Sequence, residues 1–402
     1  MTTTAGSRLT NWVLALAIVG LLAGDAAVVV ARRDDPKPAA GGSTGPPTET
    51  VPSAERRALE AALPELIGFV EETRGLRFKA RPEVELLSST DFDARLRGDF
   101  EAGEEEGAFD GDTALGVLRA LALVDGDVDI ETVFEDQLPH ILGFYDTEAK
   151  VLYARGISPT PFLKQVLVHE LAHALDDQHF GLFRPDLDDE ASPAFDALTE
   201  GSATWVEMQW YDSRPPAEQE AIDAEEGGLF EDVPHDVEDQ PDLSVFEEFG
   251  AFPYAVGPFF VMALVEAGGT ARLDEAFRAS PTNTEHIIHP DRFLAGEREA
   301  AVAPPRADGP VVQEGRLGEL GLIQILDTAM TRGLALQAAN GWGNDGYVAW
   351  TRGAQTCVRA NIVMDSSRDT TELVNALRTW ARAVGGGATV SGTRPVTVTR
   401  CG

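Results

Sequence analysis

Apolar positions along the chain recur with helical spacing in some stretches and alternate as in strands in others. Over 54–75, Leu59, Leu63, Leu66, Ile67 and Val70 fall on one helical face, and Ser53 can cap the first turn. PEVELL (82–87) alternates as a short strand, and Thr90 then caps a helix that starts DFDARL. The acidic, glycine-rich stretch 103–112 predicts a surface loop. Apolar runs at 140–145 and 150–154 flank Asp146-Thr147-Glu148-Ala149, which predicts a β-hairpin. Thr160 followed by Pro161 is a cap and a first-turn proline, opening a helix over 162–179. After residue 350 the order is strand (CVRANIVM), helix (TELVNALRTWARAV) and strand (VTVTRC). The helix sets Leu373, Val374, Leu377 and Trp380 on one face.

The N-terminus follows a different pattern. Arg8 precedes an apolar run from Trp12 to Gly24, which Asp25 interrupts and Ala26 to Ala31 resume before Arg32 and Arg33. Residues 1–33 therefore predict a cleaved signal peptide or an uncleaved membrane anchor. Residues 34–53 are rich in Pro, Gly, Ser and Thr, the composition of a linker. This divides the chain into an export segment (1–33), a linker (34–53), a main domain (54–349) and a small α/β segment (350–402).

Charge narrows the function classes. Lys and Arg total 32 against 67 Asp and Glu, a net charge of −35, with no basic stripe that could displace counterions from phosphate. Nucleic acid is excluded as a partner. The two cysteines, Cys357 and Cys401, are too far apart in sequence for a thiolate metal site. On neighbouring strands of an exported protein they predict a disulfide.

The chemistry lies in the helix FLKQVLVHELAHALDDQH, within which His169-Glu170-Leu171-Ala172-His173 forms an HExxH. Residues four apart lie roughly 40° round the helix and one turn along, so both imidazoles can share one ion. Zinc suits neutral imidazole and keeps an open position. Glu170 would then stand beside a water on the metal, taking its proton during attack and passing it to the leaving amine. The third ligand has two candidates. Glu200, in ALTEGSA, starts a second helix whose small residues allow close packing on the first. His179 falls at the spacing of a third histidine, which requires the helix to break near Asp176.

These motifs, with RGLRF (74–78), LGFYD (142–146), HELAHALDDQHF (169–180), FPYAVGPFF (252–260), TNTEHIIHP (282–290) and GWGNDGY (341–347), resemble a family of exported bacterial HExxH zinc metallopeptidases of the gluzincin type. The resemblance covers most of 56–402. It implies an α+β zincin fold, mostly helical, with a small mixed sheet over the HExxH helix, a helical half supplying Glu200, and a hairpin edge that accepts an extended peptide. It favours Glu200 over His179. Tyr254 and His289 are candidates to stabilise an oxyanion, and Glu319 is expected to brace a helix.

The expected activity is hydrolysis of peptide bonds outside the cytoplasm by a single zinc ion. The alternatives are a zincin-fold binding protein that cleaves nothing at the cell surface, and a metal hydrolase of a non-peptide amide. Peptides or proteins are the expected substrates, with the membrane as a further partner if the N-terminal segment is uncleaved.

Overall fold

The computed structural model describes residues 26–27, 53–105, 111–126, 128, 134, 135, 138, 141–156, 159–230 and 244–402. Almost all of the expected export segment and linker lie outside these residues; Ala26–Ala27 form a short strand, β1. Helix α1 (Ser53–Arg74) follows, then β2 (Glu83–Leu87) and α2 (Ser89–Glu105). The cap of α2 is Ser88 rather than Thr90: its Oγ accepts from Asp91 N at 3.2 Å. The helix runs on through 103–105, where a loop was expected, and 106–110 lie outside the described residues. Next come α3 (Gly111–Ala120) and the hairpin β3 (Ile141–Asp146) and β4 (Val151–Arg155).

Four strands form a mixed sheet in the order β1-β3-β4-β2, with β3 and β4 antiparallel and the outer pairings parallel. Period-two alternation places side chains on both faces. Phe144 and Tyr153 pack with Phe92 and Leu96 of α2. Tyr145, Leu152 and Ala154 pack on the other side with Leu59, Leu63, Leu66 and Val70 of α1 and with α4 (Pro161–Phe180). The sheet is thus covered on both faces, and α4 lies beneath it.

Three further helices build the other wall: α5 (Ala191–Asp212), α6 (Pro216–Phe230) and α7 (Ser244–Arg278). Helices α5 and α7 approach closely at Gly201 and Gly257. A Cβ on Gly201 would come within 2.4 Å of the Gly257 backbone, so only glycine fits. Among the described residues, Glu248–Arg278 is the one helical stretch long and apolar enough to cross a membrane. It is interrupted at Gly268 and Gly269 and supplies Phe252, Phe260, Val261 and Leu264 to a core shared with α5.

Short helices α8 (Thr284–Ile288) and α9 (Pro290–Ala295) lead to a second unit: β5 (Val311–Gly315), α10 (Gly318–Asp327), α11 (Arg332–Ala339), β6 (Trp342–Arg352), β7 (Gln355–Met364), α12 (Ser367–Val384), β8 (Thr389–Gly392) and β9 (Val396–Cys401). Its sheet is antiparallel, in the order β5-β6-β7-β9-β8. The expected boundary between 349 and 350 therefore falls inside β6, and the sheet begins near 311. Helix α3 and residues Val245 and Phe246 of α7 join this second core, although they precede it by many residues. Cys357 and Cys401 are directly paired on β7 and β9 and form a disulfide. The molecule is α+β, with two small sheets among many helices.

Candidate metal centre

Helix α4 starts as its sequence requires: Thr160 Oγ1 accepts from Leu163 N at 3.1 Å, with proline in the first turn. It then runs unbroken to Phe180. From Leu167 to Asp177 every residue is buried, so the helix is enclosed on all sides and its polar groups must find partners inside.

Three of those groups converge. His169 Nε2 and His173 Nε2 lie 3.0 Å apart, and Glu200 Oε2 lies 3.2 Å from each. Tetrahedral ligands at bonds of about 2.0 Å stand roughly 3.3 Å apart, so this triangle has the dimensions of a site that could hold a metal ion. His169 Nδ1–H donates to Glu207 Oε2 at 2.9 Å, which turns the lone pair of Nε2 into the triangle. Gln165 Nε2 holds the other oxygen of Glu207. Three facing acceptor atoms repel unless a cation or a proton lies between them, so the donor set fits a metal ion. Burial opposes charge on both His169 and Glu200, yet their mutual attraction outweighs it. His169 is held well above the usual imidazole range, helped by Glu207, and Glu200 is drawn down to about 2 by the two histidines.

Glu170 lies beside the group and takes no part in it. Both of its carboxylate oxygens are buried without a partner among the described residues, and burial pushes its carboxyl up to about 7 against the pull of His173 and His169. Gly143 of β3 lies over it: a Cβ there would meet Glu170 Cγ at 3.3 Å and Val166 Cγ1 at 3.0 Å. The sheet can therefore sit directly above the HExxH. The outer edge of β3, expected to be open, pairs with β1 at Ile141 and Gly143.

His179 lies elsewhere. The helix does not break at Asp176, because Asp176 is buried and fully used: it accepts from Arg74 Nε and Nη2 at 2.9 and 2.7 Å and from Ser202 Oγ at 2.7 Å. His179 donates to Arg77 O at 2.8 Å, one helical turn or more beyond the donors. Tyr254 stacks near His169, with ring centroids 6.5 Å apart, so it borders the group. His289 does not join it. Its Nε2 lies 3.1 Å from Glu319 Oε1, and Glu319 stands in the first turn of α10.

Residues 308–400 match a family described as Domain of unknown function (DUF8575). The match spans the second sheet with α10, α11 and α12 and stops short of the metal centre. No curated protein and no solved structure matches the chain. The DUF8575-like unit is similar to that family in sequence, and its junction with the helices that carry the candidate metal group is strongly acidic. Arg316 joins Asp188, at 2.8 Å, to Glu299, at 3.0 Å. Asp345 accepts from Leu317 N, Gly318 N and Trp342 Nε1, each at 2.9 Å. Glu190 accepts from Thr284 N at 2.9 Å.

The roles of Glu207 and Gln165 escape motif reading, and the motifs that contain Arg74 and Asp176 do not show that the two pair. One signal was available for Glu207: it follows Glu200 by seven residues, two helical turns along the same face.

Proposed function

We propose that the protein is a zinc-dependent peptidase of the gluzincin type, working outside the cytoplasm. The observation that carries this reading is the triangle of His169, His173 and Glu200 donors with the unpartnered, buried Glu170 beside it. His169, His173 and Glu200 would hold the ion, and Glu207 would fix the orientation of His169. When bound, zinc supplies a Lewis acid that polarises the scissile carbonyl and acidifies water. Glu170, with its carboxyl near 7, is suited to accept a proton from the attacking water and to return it to the leaving amine. Tyr254, whose ring lies 6.5 Å from that of His169, is the candidate to stabilise developing negative charge. Two residues of the protein itself, Ala26 and Ala27, pair along β3, and an extended substrate would make the same pairing in their place. The disulfide fits an oxidising compartment, as an export segment at 1–33 would provide.

The test is cleavage of a mixed peptide library by the zinc-loaded protein and by Glu170→Gln. Wild type should cleave, and the variant should lose about 10²–10⁴-fold in rate while keeping its zinc. Equal rates in the two proteins would refute the role of Glu170. Zinc binding without turnover of any peptide would refute the peptidase reading.

A further inference from the structure

The face of α5 that presents Glu200 carries a second carboxylate that the metal group does not use. Asp196 precedes Glu200 by four residues, so the two side chains leave the same side of the helix about one turn apart. From Ala191 to Ala203 every residue is buried except Asp196. Solvent therefore reaches this part of α5 at Asp196, one helical turn from Glu200.

Its lack of partners sets Asp196 apart from its neighbours. Asp176 holds Arg74 and Ser202, Asp177 holds Tyr145 and Lys150, Glu207 holds His169 and Gln165, and Glu190 holds Thr284. Among the described residues no hydrogen bond or ion pair engages Asp196. Burial, and then Glu200, push its carboxyl up to about 7. A half-buried carboxylate with no partner destabilises the free protein, and an arriving cation would relieve it. The protein as a whole, at a net charge of −35, draws cations towards it.

We propose that Asp196 is a specificity residue that binds an ammonium or guanidinium group of the substrate, so that the site prefers peptides with a positive charge close to the cleaved bond. This rests on the peptidase reading. One helical turn from Glu200 is roughly 5–6 Å, the span of one to two residues of extended chain at about 3.3–3.6 Å each. The cation therefore belongs to a residue flanking the bond or to a free N-terminus lying there.

The experiment uses the zinc-loaded full chain and matched peptides that carry lysine, norleucine or glutamate on each side of the cleaved bond, each with a free or acetylated N-terminus. In wild type the cationic peptide should have a kcat/KM about 10–100-fold higher, as expected for a hydrogen bond to a charged group. In Asp196→Asn this ratio should fall to about one with zinc content unchanged, and in Asp196→Lys it should invert in favour of glutamate-bearing peptides. Dependence on the free N-terminus alone would assign the cation to the terminal ammonium, and dependence on lysine would assign it to the side chain. An unchanged ratio in Asp196→Asn overturns the proposal. Should wild type cleave no peptide, the peptidase reading fails separately. Binding of the lysine and norleucine peptides to Glu170→Gln, with and without Asp196→Asn, then decides, and equal binding overturns the proposal.

Discussion

Helices α4 and α12 are of similar length, yet they are built on opposite principles. Helix α12 covers one face of the second sheet. It buries Leu373, Val374, Ala376, Leu377 and Trp380 and leaves the rest of its surface to water. Helix α4 is enclosed on all sides, and its buried stretch includes Gln165, His169, Glu170, His173, Asp176 and Asp177. An amphipathic stripe marks a cover. Polar residues inside a fully buried helix mark a site, because each must be matched or used. In α4, Gln165, Asp176 and Asp177 are matched by partners from other elements, while His169 and His173 converge with Glu200 and Glu170 has no partner among the described residues.

Disturbing each helix from its buried side should separate the two designs. The largest effect is expected for Asp176→Ala. This leaves the fully buried guanidinium of Arg74 without its closest partner, and the cost should be about 3–5 kcal/mol, read as a shift in denaturant midpoint. Leu377→Ala in α12 should cost about 2–4 kcal/mol through the cavity it opens. Arg378→Ala, on the exposed side of the same helix, should stay within about 0.5 kcal/mol. An Asp176→Ala effect no larger than that of Arg378→Ala would remove the distinction between the helices.

Smaller effects sharpen the comparison. Glu207→Gln keeps the shape of the side chain but weakens the orientation of His169, so zinc affinity measured by competition with a chelator should fall about 10–100-fold. At the junction with the DUF8575-like unit, burial raises the carboxyl of Asp189 to about 7, well above its unfolded value. Such a group contributes full stability below the unfolded pKa and loses it as pH rises through the folded one. Melting temperature should therefore fall between about pH 4 and 7 for this site, and Asp189→Asn should raise it at pH 8 more than at pH 4. An equal gain at both values would show that the charge of Asp189 does not matter.

Much of this could be read in the sequence, where local rules and tertiary demands agree. The Thr160-Pro161 start, the hairpin, the HExxH spacing and the stripe of α12 are local signals that the fold keeps. Glu200 over His179 could not be decided locally. The choice turns on Asp176, which stands where a third-histidine spacing wants a helix-breaking glycine and which is pinned in the helix by Arg74 and Ser202 from distant segments. The start of the second unit was hidden for a similar reason. GWGNDGY shows no apolar alternation, yet all of it after Gly341 lies in β6, where the buried Asp345 bonds Trp342 and the backbone entering α10. Strand β5 is short and mostly exposed, so no apolar alternation announces it. Helix α3 shows the same limit: its sequence predicts neither that it joins the second core nor that it does so across such a length of chain.

The proposed function requires His169, His173 and Glu200 to hold the zinc ion and His179 to play no part. Metal content by mass spectrometry on purified wild type, Glu200→Ala and His179→Ala tests it most directly. One zinc per chain is expected in wild type and in His179→Ala, with loss of zinc in Glu200→Ala. Loss in His179→Ala with retention in Glu200→Ala, or no zinc in wild type after reconstitution, would contradict it.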